Sequence, residues 1–270
     1  MVKLGDIEEL HAAYNEQIDD VYGALFEGGF LNFGYWRGID LTSLSRADRL
    51  LSMQQLYRVT LRSLDIKPQD RLLEVACGRG RGTALALDEF CPAEAHGIDL
   101  LPSQVEKAKE LNAQEVGDSK GRLQYGEGSA DNIPYADGYF DKVFTIEAIH
   151  HFPNLDDFVS DVARVTRKPA RLTITAALSP THDVPTAKLA ELLGEFDDGV
   201  SVHYSVVSVE RALRENGFTD VHVASIGDDV WYGMVSWANQ TEFKDSLIGN
   251  WIKAHEAGIV DYYLVSASTE

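Results

Sequence analysis

The chain has 270 residues, which one large domain can hold, and 44% hydrophobic and 25% charged residues, as is ordinary for a globular protein. Its 24 Lys and Arg against 43 Asp and Glu leave a net charge of −19, which disfavours nucleic acid and anionic membrane surfaces as partners. Cys77 and Cys91 are too few for a zinc cluster or a disulfide framework. Without a signal-peptide pattern or a long apolar window, we expect a cytoplasmic protein.

The first 65 residues are predicted to form two helices separated by an aromatic loop. Apolar residues recur at helical spacing over residues 5–28 and again from about Ser45 to Asp65. Between them lies GGFLNFGYWRG, whose glycines and aromatic residues favour an ordered loop. We expect residues 1–45 to form a lid. Three of its tyrosines would either reach a bound ligand or belong to a hydrophobic flap that covers a sheet edge: Tyr14, Tyr22 and Tyr35.

From residue 71 onward, short apolar runs alternate with helical segments, which indicates an α/β fold with a parallel sheet. The predicted strands are Arg71–Ala76, Ala95–Leu100, Leu123–Glu127, Phe140–Ile146, Arg171–Ala177, Val221–Ile226 and Ile259–Ser266. The predicted helices are Thr83–Phe90, Pro102–Val116, Leu155–Thr166 and Ser208–Asn216.

Two stretches, residues 179–207 and 229–258, fit this alternation badly. Ligands of open α/β sheets bind beyond the carboxyl ends of the strands, where insertions between late strands would lie. We therefore interpret both stretches as caps over a substrate, within a domain of residues 46–270. Packing on the back of the sheet is the alternative.

A glycine-rich turn after the first strand is the strongest local signal. The segment LLEVACGRGRGT runs from a buried strand into a helix, with glycines at 78, 80 and 82. Such turns allow close backbone approach and present helix N–H groups to an anionic group. Asp99 follows 17 residues after Gly82, about where a carboxylate binds ribose hydroxyls. Together they predict an adenosine-type cofactor.

Four motifs in this order resemble those of class I S-adenosylmethionine-dependent methyltransferases. They are Glu74–Gly80, the HGIDL strand with PSQVEKAKE, the segment GSADNIP with DGYFD, and TIEAIHHF. The resemblance covers residues 45–178 strongly and the rest loosely. It implies a Rossmann-like, doubly wound, mostly parallel seven-stranded sheet with an antiparallel last strand, and S-adenosylmethionine as cofactor.

The resemblance also implies roles for single residues. The methionine portion and ribose would lie on the backbone of Ala76, Gly78 and Gly80, near Glu74. Asp99 would bind the ribose hydroxyls and Leu100 would pack on adenine. Ser129 and Ala130 would contact the adenine edge. The other cofactor-binding residues are Tyr35, Gln104 and Glu147. The family usually has Asp at position 129 and Gly at position 76.

Simpler interpretations exist for several of these residues. Asp99 would also suit a cap of the helix that follows Pro102. Glu74 would suit a strand-end carboxylate, although a charge inside an apolar run needs a partner. We interpret Cys77 as a small buried residue and not as a nucleophile.

Histidines beyond the fourth strand are the candidate catalytic residues. An oxygen or nitrogen nucleophile benefits from a base whose pKa lies near neutrality, as that of histidine does. We predict that His151 is the base or positions the acceptor, with His150 as second choice, and that the two adjacent side chains point different ways. The pairs His203-Tyr204 and His182-Asp183 are weaker candidates. No metal-binding cluster is evident at this edge.

The predicted activity is methyl transfer to an oxygen, nitrogen or carbon of a small molecule in specialised, natural-product metabolism. The large cap insertions favour an enclosed, drug-sized pocket over a binding surface for protein or nucleic acid. One alternative is a cyclase or rearrangement enzyme that binds S-adenosylmethionine. Another is a nicotinamide-dependent oxidoreductase, which the missing third glycine of the dinucleotide fingerprint disfavours.

Overall fold

The structure is a computed structural model that describes residues 25–181, 186–193 and 202–270. A seven-stranded sheet forms its centre, with the strand order β3-β2-β1-β4-β5-β7-β6. The strands are β1 Arg71–Val75, β2 Glu94–Asp99, β3 Leu123–Glu127, β4 Phe140–Ile146, β5 Thr166–Leu178, β6 Thr219–Ser225 and β7 Asp261–Ser268. Strands β1 to β5 run parallel, and β7 is antiparallel to both β5 and β6. This is the predicted Rossmann-like fold.

Helices cover both faces of the sheet. They are α1 Arg46–Ser63, α2 Arg81–Phe90, α3 Pro102–Leu111, α4 Ala113–Asp118, α5 Leu155–Val165, α6 Thr186–Leu193, α7 Val206–Glu215, α8 Gly227–Asn239 and α9 Ile248–Glu256. Two 3₁₀ turns, Glu27–Gly29 and Ile149–His151, precede α1 and α5.

Alternating side chains of β1 pack into two different apolar clusters of the core. Leu73 and Val75 belong to the apolar cluster that contains α5 and α7, while Leu72 belongs to the cluster that contains α1, α8 and α9. All three side chains are at most 1% exposed. A parallel strand buried on both faces is apolar throughout, so Glu74 in the same strand requires polar partners.

Several predicted boundaries need correction. The helix predicted over Pro102–Val116 is two helices, because the backbone of Asn112 leaves helical geometry. Its side-chain amide donates to Ala108 O at 2.7 Å and to Arg79 O at 3.0 Å. Polar side chains that bond nearby backbone compete with helix continuation. Strand β5 begins at Thr166, five residues before the predicted start, because Thr166 pairs with Phe140 ahead of a register shift.

The topology brings several loops to one edge of the sheet. The strand order reverses between β1 and β4, and open α/β sheets bind ligands at the carboxyl ends of strands beside such a switch point. Helices α8 and α9 connect β6 to β7 at this edge, because β6 ends where the antiparallel β7 begins. Residues 229–258 thus lie at the predicted edge, and their role as a cap stays a prediction.

Candidate active site

The glycine turn after β1 has the conformation that its sequence predicts. Gly78 and Gly80 have φ angles of 51° and 72°, and helix α2 begins directly afterwards. A Cβ on Gly80 would lie 2.5 Å from the Tyr125 ring, so a side chain has no room there. Ala76 has φ of 59°, a left-handed conformation in which glycine is less strained, and this explains why the family usually has glycine at that position.

The third glycine of the turn has a packing role. A Cβ on Gly82 would lie 1.8 Å from the ring of Tyr57 in α1. Gly82 therefore allows α1 and α2 to approach closely, while Gly78 and Gly80 shape the turn itself.

Asp99 lies at the end of β2 and faces this turn. Its Oδ2 accepts a hydrogen bond from Gly78 N at 2.8 Å, and its Oδ1 accepts one from Leu101 N at 3.0 Å. The side chain thus orders the turn and the start of α3, and its predicted contact with a ribose stays a prediction. A carboxylate has about four lone-pair sites, so these two bonds are compatible with further bonds to hydroxyl groups.

The expected adenine-binding residues surround Asp99. Gly128 N donates to Asp99 O at 2.9 Å, which brings the loop of Ser129 and Ala130 next to the end of β2. Leu100 is 49% exposed and offers apolar surface there, whereas Gln104 in α3 is buried. The Ser129 hydroxyl donates to the Asp131 carboxylate, which engages the proton that we expected it to offer to adenine. The turn, the carboxylate and the open apolar surface fit an adenosine cofactor.

Glu74 contacts protein groups on both carboxylate oxygens. Oε1 accepts from the Tyr57 hydroxyl at 3.0 Å, and Oε2 accepts from the Thr83 hydroxyl. Burial raises the pKa of Glu74 to about 8, although both hydroxyl bonds oppose that shift. These contacts supply the partners that a buried carboxyl needs and favour a structural role over direct contact with a cofactor.

Glu147 connects the aromatic loop to the sheet. Its Oε1 accepts from Phe33 N at 2.7 Å and from the Tyr262 hydroxyl at 2.6 Å, and its φ is 50°. The predicted contact of Glu147 with the cofactor stays a prediction, but its carboxylate has a clear part in holding the loop at the carboxyl end of β4.

Arg49 of α1 holds the same loop from the other side. The fully buried guanidinium donates to Asn32 O at 2.7 Å, Phe33 O at 2.9 Å and Leu25 O at 3.1 Å. Burial lowers the pKa of Arg49 to about 9. Sequence reasoning missed this residue, because an arginine in an amphipathic helix is normally a solvent-exposed one.

Tyr35 lines a cavity on α1. The cavity has a volume of about 500 Å³ along one face of the helix, and its lining also includes Arg37, Arg58 and Arg62. No contact of the Tyr35 ring supports the predicted cofactor role, which stays a prediction. The other proposed lid tyrosines, Tyr14 and Tyr22, lie outside the described residues, as do His182 and Asp183.

Three histidines meet at the carboxyl edge. The rings of His150 and His151 lie 3.9 Å apart, so the expectation that they point different ways is wrong. They occupy a 3₁₀ turn, which does not impose the divergence of a regular element. Val202 N donates to His150 O at 2.7 Å and brings His203 to the same place. Burial, with the nearby His151 and His203, lowers the pKa of His150 well below its usual value.

We searched the described part of the chain for groups that could bind a metal ion and for helices that could span a membrane. Across residues 25–181, 186–193 and 202–270, His, Cys, Asp and Glu side chains form no group of three or more that could hold a metal ion. Among the helices in these ranges, none combines the length and the apolar character that crossing a bilayer requires.

Comparisons with known proteins identify the family of this chain. Residues 73–174 match the family model of a methyltransferase domain. The chain is 31% identical over 225 residues to the erythromycin 3''-O-methyltransferase of Saccharopolyspora erythraea, covering 81% of this chain and 71% of that protein.

Solved structures share the fold at low sequence identity. A geranyl diphosphate C-methyltransferase from Streptomyces coelicolor A3(2) superposes with a TM-score of 0.78 at 15% identity, over 89% of this chain and 88% of that one. The [4+2]-cyclase SpnF gives a TM-score of 0.70 at 16% identity, over 94% of each chain. From the sequence matches, supported by the shared fold, the chain belongs to the class I S-adenosylmethionine-dependent methyltransferases that act on small molecules.

Proposed function

We propose that this protein transfers a methyl group from S-adenosylmethionine to a hydroxyl oxygen of a small molecule in specialised metabolism. The observation that carries the choice of oxygen is the histidine group at the carboxyl end of β4, since a hydroxyl must lose its proton when it is methylated. The similarity to an enzyme named as an O-methyltransferase supports the same choice.

Cofactor and acceptor would meet beside the β1–β4 switch point. S-adenosylmethionine supplies a methyl group activated by the sulfonium. We expect the glycine turn and Asp99 to hold its adenosine end, and Glu147 to hold the aromatic loop of Phe33 over the sheet edge. Residues 179–207 and 229–258 would exclude water as caps, and residues 1–45 would act as a lid.

We expect His150 and His151 to have different roles. A general base acts best when its pKa lies near the working pH. Burial keeps the pKa of His150 well below its usual value, so His150 is a poor base. The adjacent His151 is the better candidate. We therefore propose His151 as the base that accepts the hydroxyl proton.

The net charge and the two cysteines support the proposed substrate class and a cytoplasmic location. A net charge of −19 disfavours a nucleic acid substrate. Both cysteines, Cys77 and Cys91, are free thiols, which suits the reducing environment of the cytoplasm.

The deciding experiment is a methyl-transfer assay. The purified protein is incubated with S-adenosylmethionine and a panel of matched alcohols, amines and activated alkenes, and mass spectrometry follows the product and S-adenosylhomocysteine. We expect methyl ethers from the alcohols. Methylated amines or carbon products without ethers would contradict the choice of oxygen.

His151→Ala should lower kcat about 10²- to 10⁴-fold and remove the acid limb of the pH–rate profile. His150→Ala should cost less, and His222→Ala, an exposed histidine on β6, provides the matched control. A larger loss in His150→Ala than in His151→Ala would reverse the assignment.

A cyclisation without methyl transfer is the second candidate, favoured by the structural similarity to a [4+2]-cyclase. Product formation without release of S-adenosylhomocysteine would establish it in place of methyl transfer.

A further inference from the structure

The cavity beside α1 collects positive charge in an acidic protein. The chain has a net charge of −19, whereas α1, with the sequence RADRLLSMQQLYRVTLRS, contains four arginines and one aspartate, a local charge of +3. Two arginines of α1 and one from the loop before it line the cavity of about 500 Å³. Its described lining is Tyr35, Arg37, Gln55, Arg58, Val59 and Arg62. A cavity with this lining attracts anions that an acidic surface repels.

The part of α1 that borders the cavity is one face of the helix. Its lining residues have the spacing i, i+3, i+4 and i+7, which places side chains on the same side of a helix: Gln55, Arg58, Val59 and Arg62. The other side of α1 packs into the core through the fully buried Met53, Leu56 and Leu61. The helix therefore lies between the cavity and this core, and the described lining shares no residue with the glycine turn or the histidine group.

Two of the three guanidinium groups are held in place by carboxylates. Arg58 donates from Nε and Nη2 to Glu89 at 2.8 and 2.7 Å. Arg37 donates from the same two nitrogens to Asp229 at 3.1 and 2.6 Å. Such bidentate pairs fix the plane of a guanidinium, which has five N–H donors in all. Both pairs use Nε and Nη2, and they leave Nη1 of each arginine for a further acceptor.

Arg62 is the third cation of the cavity, and among the residues that the structure describes it forms no ion pair of this kind. It lies exposed in the last turn of α1. Its charge still reaches the neighbouring pair, since the hydrogen bond from Arg58 and the charges of Arg58 and Arg62 lower the pKa of Glu89. Three guanidinium groups against two carboxylates leave one positive charge at the cavity uncompensated.

The rest of the lining suits an organic molecule. The Arg37 guanidinium lies over the ring of Tyr35, 5.6 Å from its centroid, and Val59 adds aliphatic surface. The volume of about 500 Å³ exceeds the space that one phosphate ion fills and lies within the range of small-molecule pockets, about 300–1,000 Å³. A phosphate group has three strongly accepting terminal oxygens, and planar guanidinium groups match its geometry.

We propose that this cavity binds a small molecule through a phosphate monoester group, whose terminal oxygens accept hydrogen bonds from Arg37, Arg58 and Arg62. The organic part of the ligand contacts Tyr35 and Val59. The site is additional to the methyl-transfer centre and does not depend on which atom is methylated. Its ligand connects the aromatic loop, which carries Arg37, to α1.

Calorimetric titration with inorganic phosphate and with phenyl phosphate tests the site. Saturating S-adenosylhomocysteine is present throughout, because the N-terminus of α2 at the glycine turn can itself attract an anion. Sodium chloride keeps the ionic strength constant, so that screening of the net charge does not contribute. We expect one site per chain for both ligands. Phenyl phosphate should bind about three- to tenfold more tightly, because its ring is partly buried in the cavity.

Arg62→Gln should weaken the binding of phenyl phosphate about tenfold, because a hydrogen bond to a charged group is lost. Gln55→Glu, which adds a negative charge to the lining and keeps all three arginines, should weaken it as well. The matched control is Arg46→Gln, which removes the same charge from the first turn of α1 outside the cavity and should bind nearly as the wild type does. The thermal midpoint of each variant shows whether it is folded.

Three results would overturn the proposal. They are no binding of either ligand to the wild type, wild-type affinity in both Arg62→Gln and Gln55→Glu, and an equal loss in Arg62→Gln and Arg46→Gln. The last result would mean that net charge alone attracts the anion. Equal affinities of inorganic phosphate and phenyl phosphate would overturn the contact with Tyr35 and Val59. None of these measurements involves a methyl acceptor, so they leave the proposed function unaffected.

Discussion

The surroundings of Glu74 in the folded protein, and not its position in the sequence, determine the pKa of its carboxyl group. The carboxyl is 1% exposed and hydrogen-bonded to Tyr57 and Thr83. Its folded pKa of about 8 lies above the ordinary value of 4.5, so the folded state binds a proton that the unfolded state releases between these values. Stability from this group is therefore complete below about pH 4.5 and is lost as the pH rises through 8.

Glu74→Gln should weaken this pH dependence, because the amide does not titrate. We expect the wild-type free energy of unfolding to fall between pH 6 and pH 8 with a slope of at most about 1.4 kcal/mol per pH unit from this group. Urea unfolding at pH 6, 7 and 8 measures it, with the surface variant Glu89→Gln as control. Parallel pH profiles of wild type and Glu74→Gln would contradict the assignment.

The Asp99 carboxylate orders the glycine turn, and it is also the group that we expect to bind the ribose. Asp99→Ala should weaken S-adenosylmethionine binding by about 1–3 kcal/mol, as loss of charge-assisted hydrogen bonds does. Asp99→Asn should also bind poorly wherever its amide NH₂ faces Gly78 N–H. Titration calorimetry provides the values, and the exposed Asp88→Ala is the control. Wild-type affinity in Asp99→Ala would remove Asp99 from the cofactor site.

At the scale of elements, the aromatic loop before α1 depends on contacts that are distant in sequence. Trp36 N donates to Asp229 O at 2.7 Å and Tyr35 N to Ser52 O at 2.8 Å, in addition to the bonds of Arg49. The described part of the predicted lid, residues 25–45, is therefore packed on α1 and α8. Whether it opens stays a prediction.

Arg49→Met should lower the free energy of unfolding by about 3 kcal/mol, because it leaves three loop carbonyls without their donor. It should also speed proteolytic cleavage within residues 25–45. Arg49→Lys should restore only part of the loss, since a lysine lacks the planar fork of donors. The control is Arg46→Met in the same helix, whose side chain is 78% exposed. Equal cleavage rates for the two methionine variants would contradict an anchoring role.

Local sequence predicted some elements well for physical reasons. Ser45 and Asp48 form a capping box, so α1 begins within a residue of the predicted start. The break at Asn112 was not predictable, because its amide bonds a carbonyl from another turn of the chain, that of Arg79. The helix propensity of a residue contains no information about hydrogen-bond partners from another part of the chain.

At the scale of the whole molecule, the charge of −19 implies self-repulsion in the folded state. Raising the ionic strength from about 0.01 M to 0.15 M shortens the Debye length from about 30 Å to about 8 Å and screens it. We expect the thermal midpoint to rise by about 2–4 °C, equivalent to about 1 kcal/mol in a chain of this size. The same titration near pH 4.7, the isoelectric point, should show little change. A fall in midpoint at neutral pH would mean that surface ion pairs outweigh the repulsion.

The sequence by itself determined the α/β class, the glycine turn, the place of Asp99 and the cofactor, because these depend on local patterns of strand, turn and helix and on motifs in a set order. Only the tertiary structure decided which groups meet. It paired Glu74 with Tyr57 and Thr83, buried Arg49 under the aromatic loop, and joined Ser179 to His203 beside His150. The physical reason is that hydrogen bonding and burial act through space, between residues as distant in sequence as Glu147 and Tyr262, 115 positions apart, or Trp36 and Asp229.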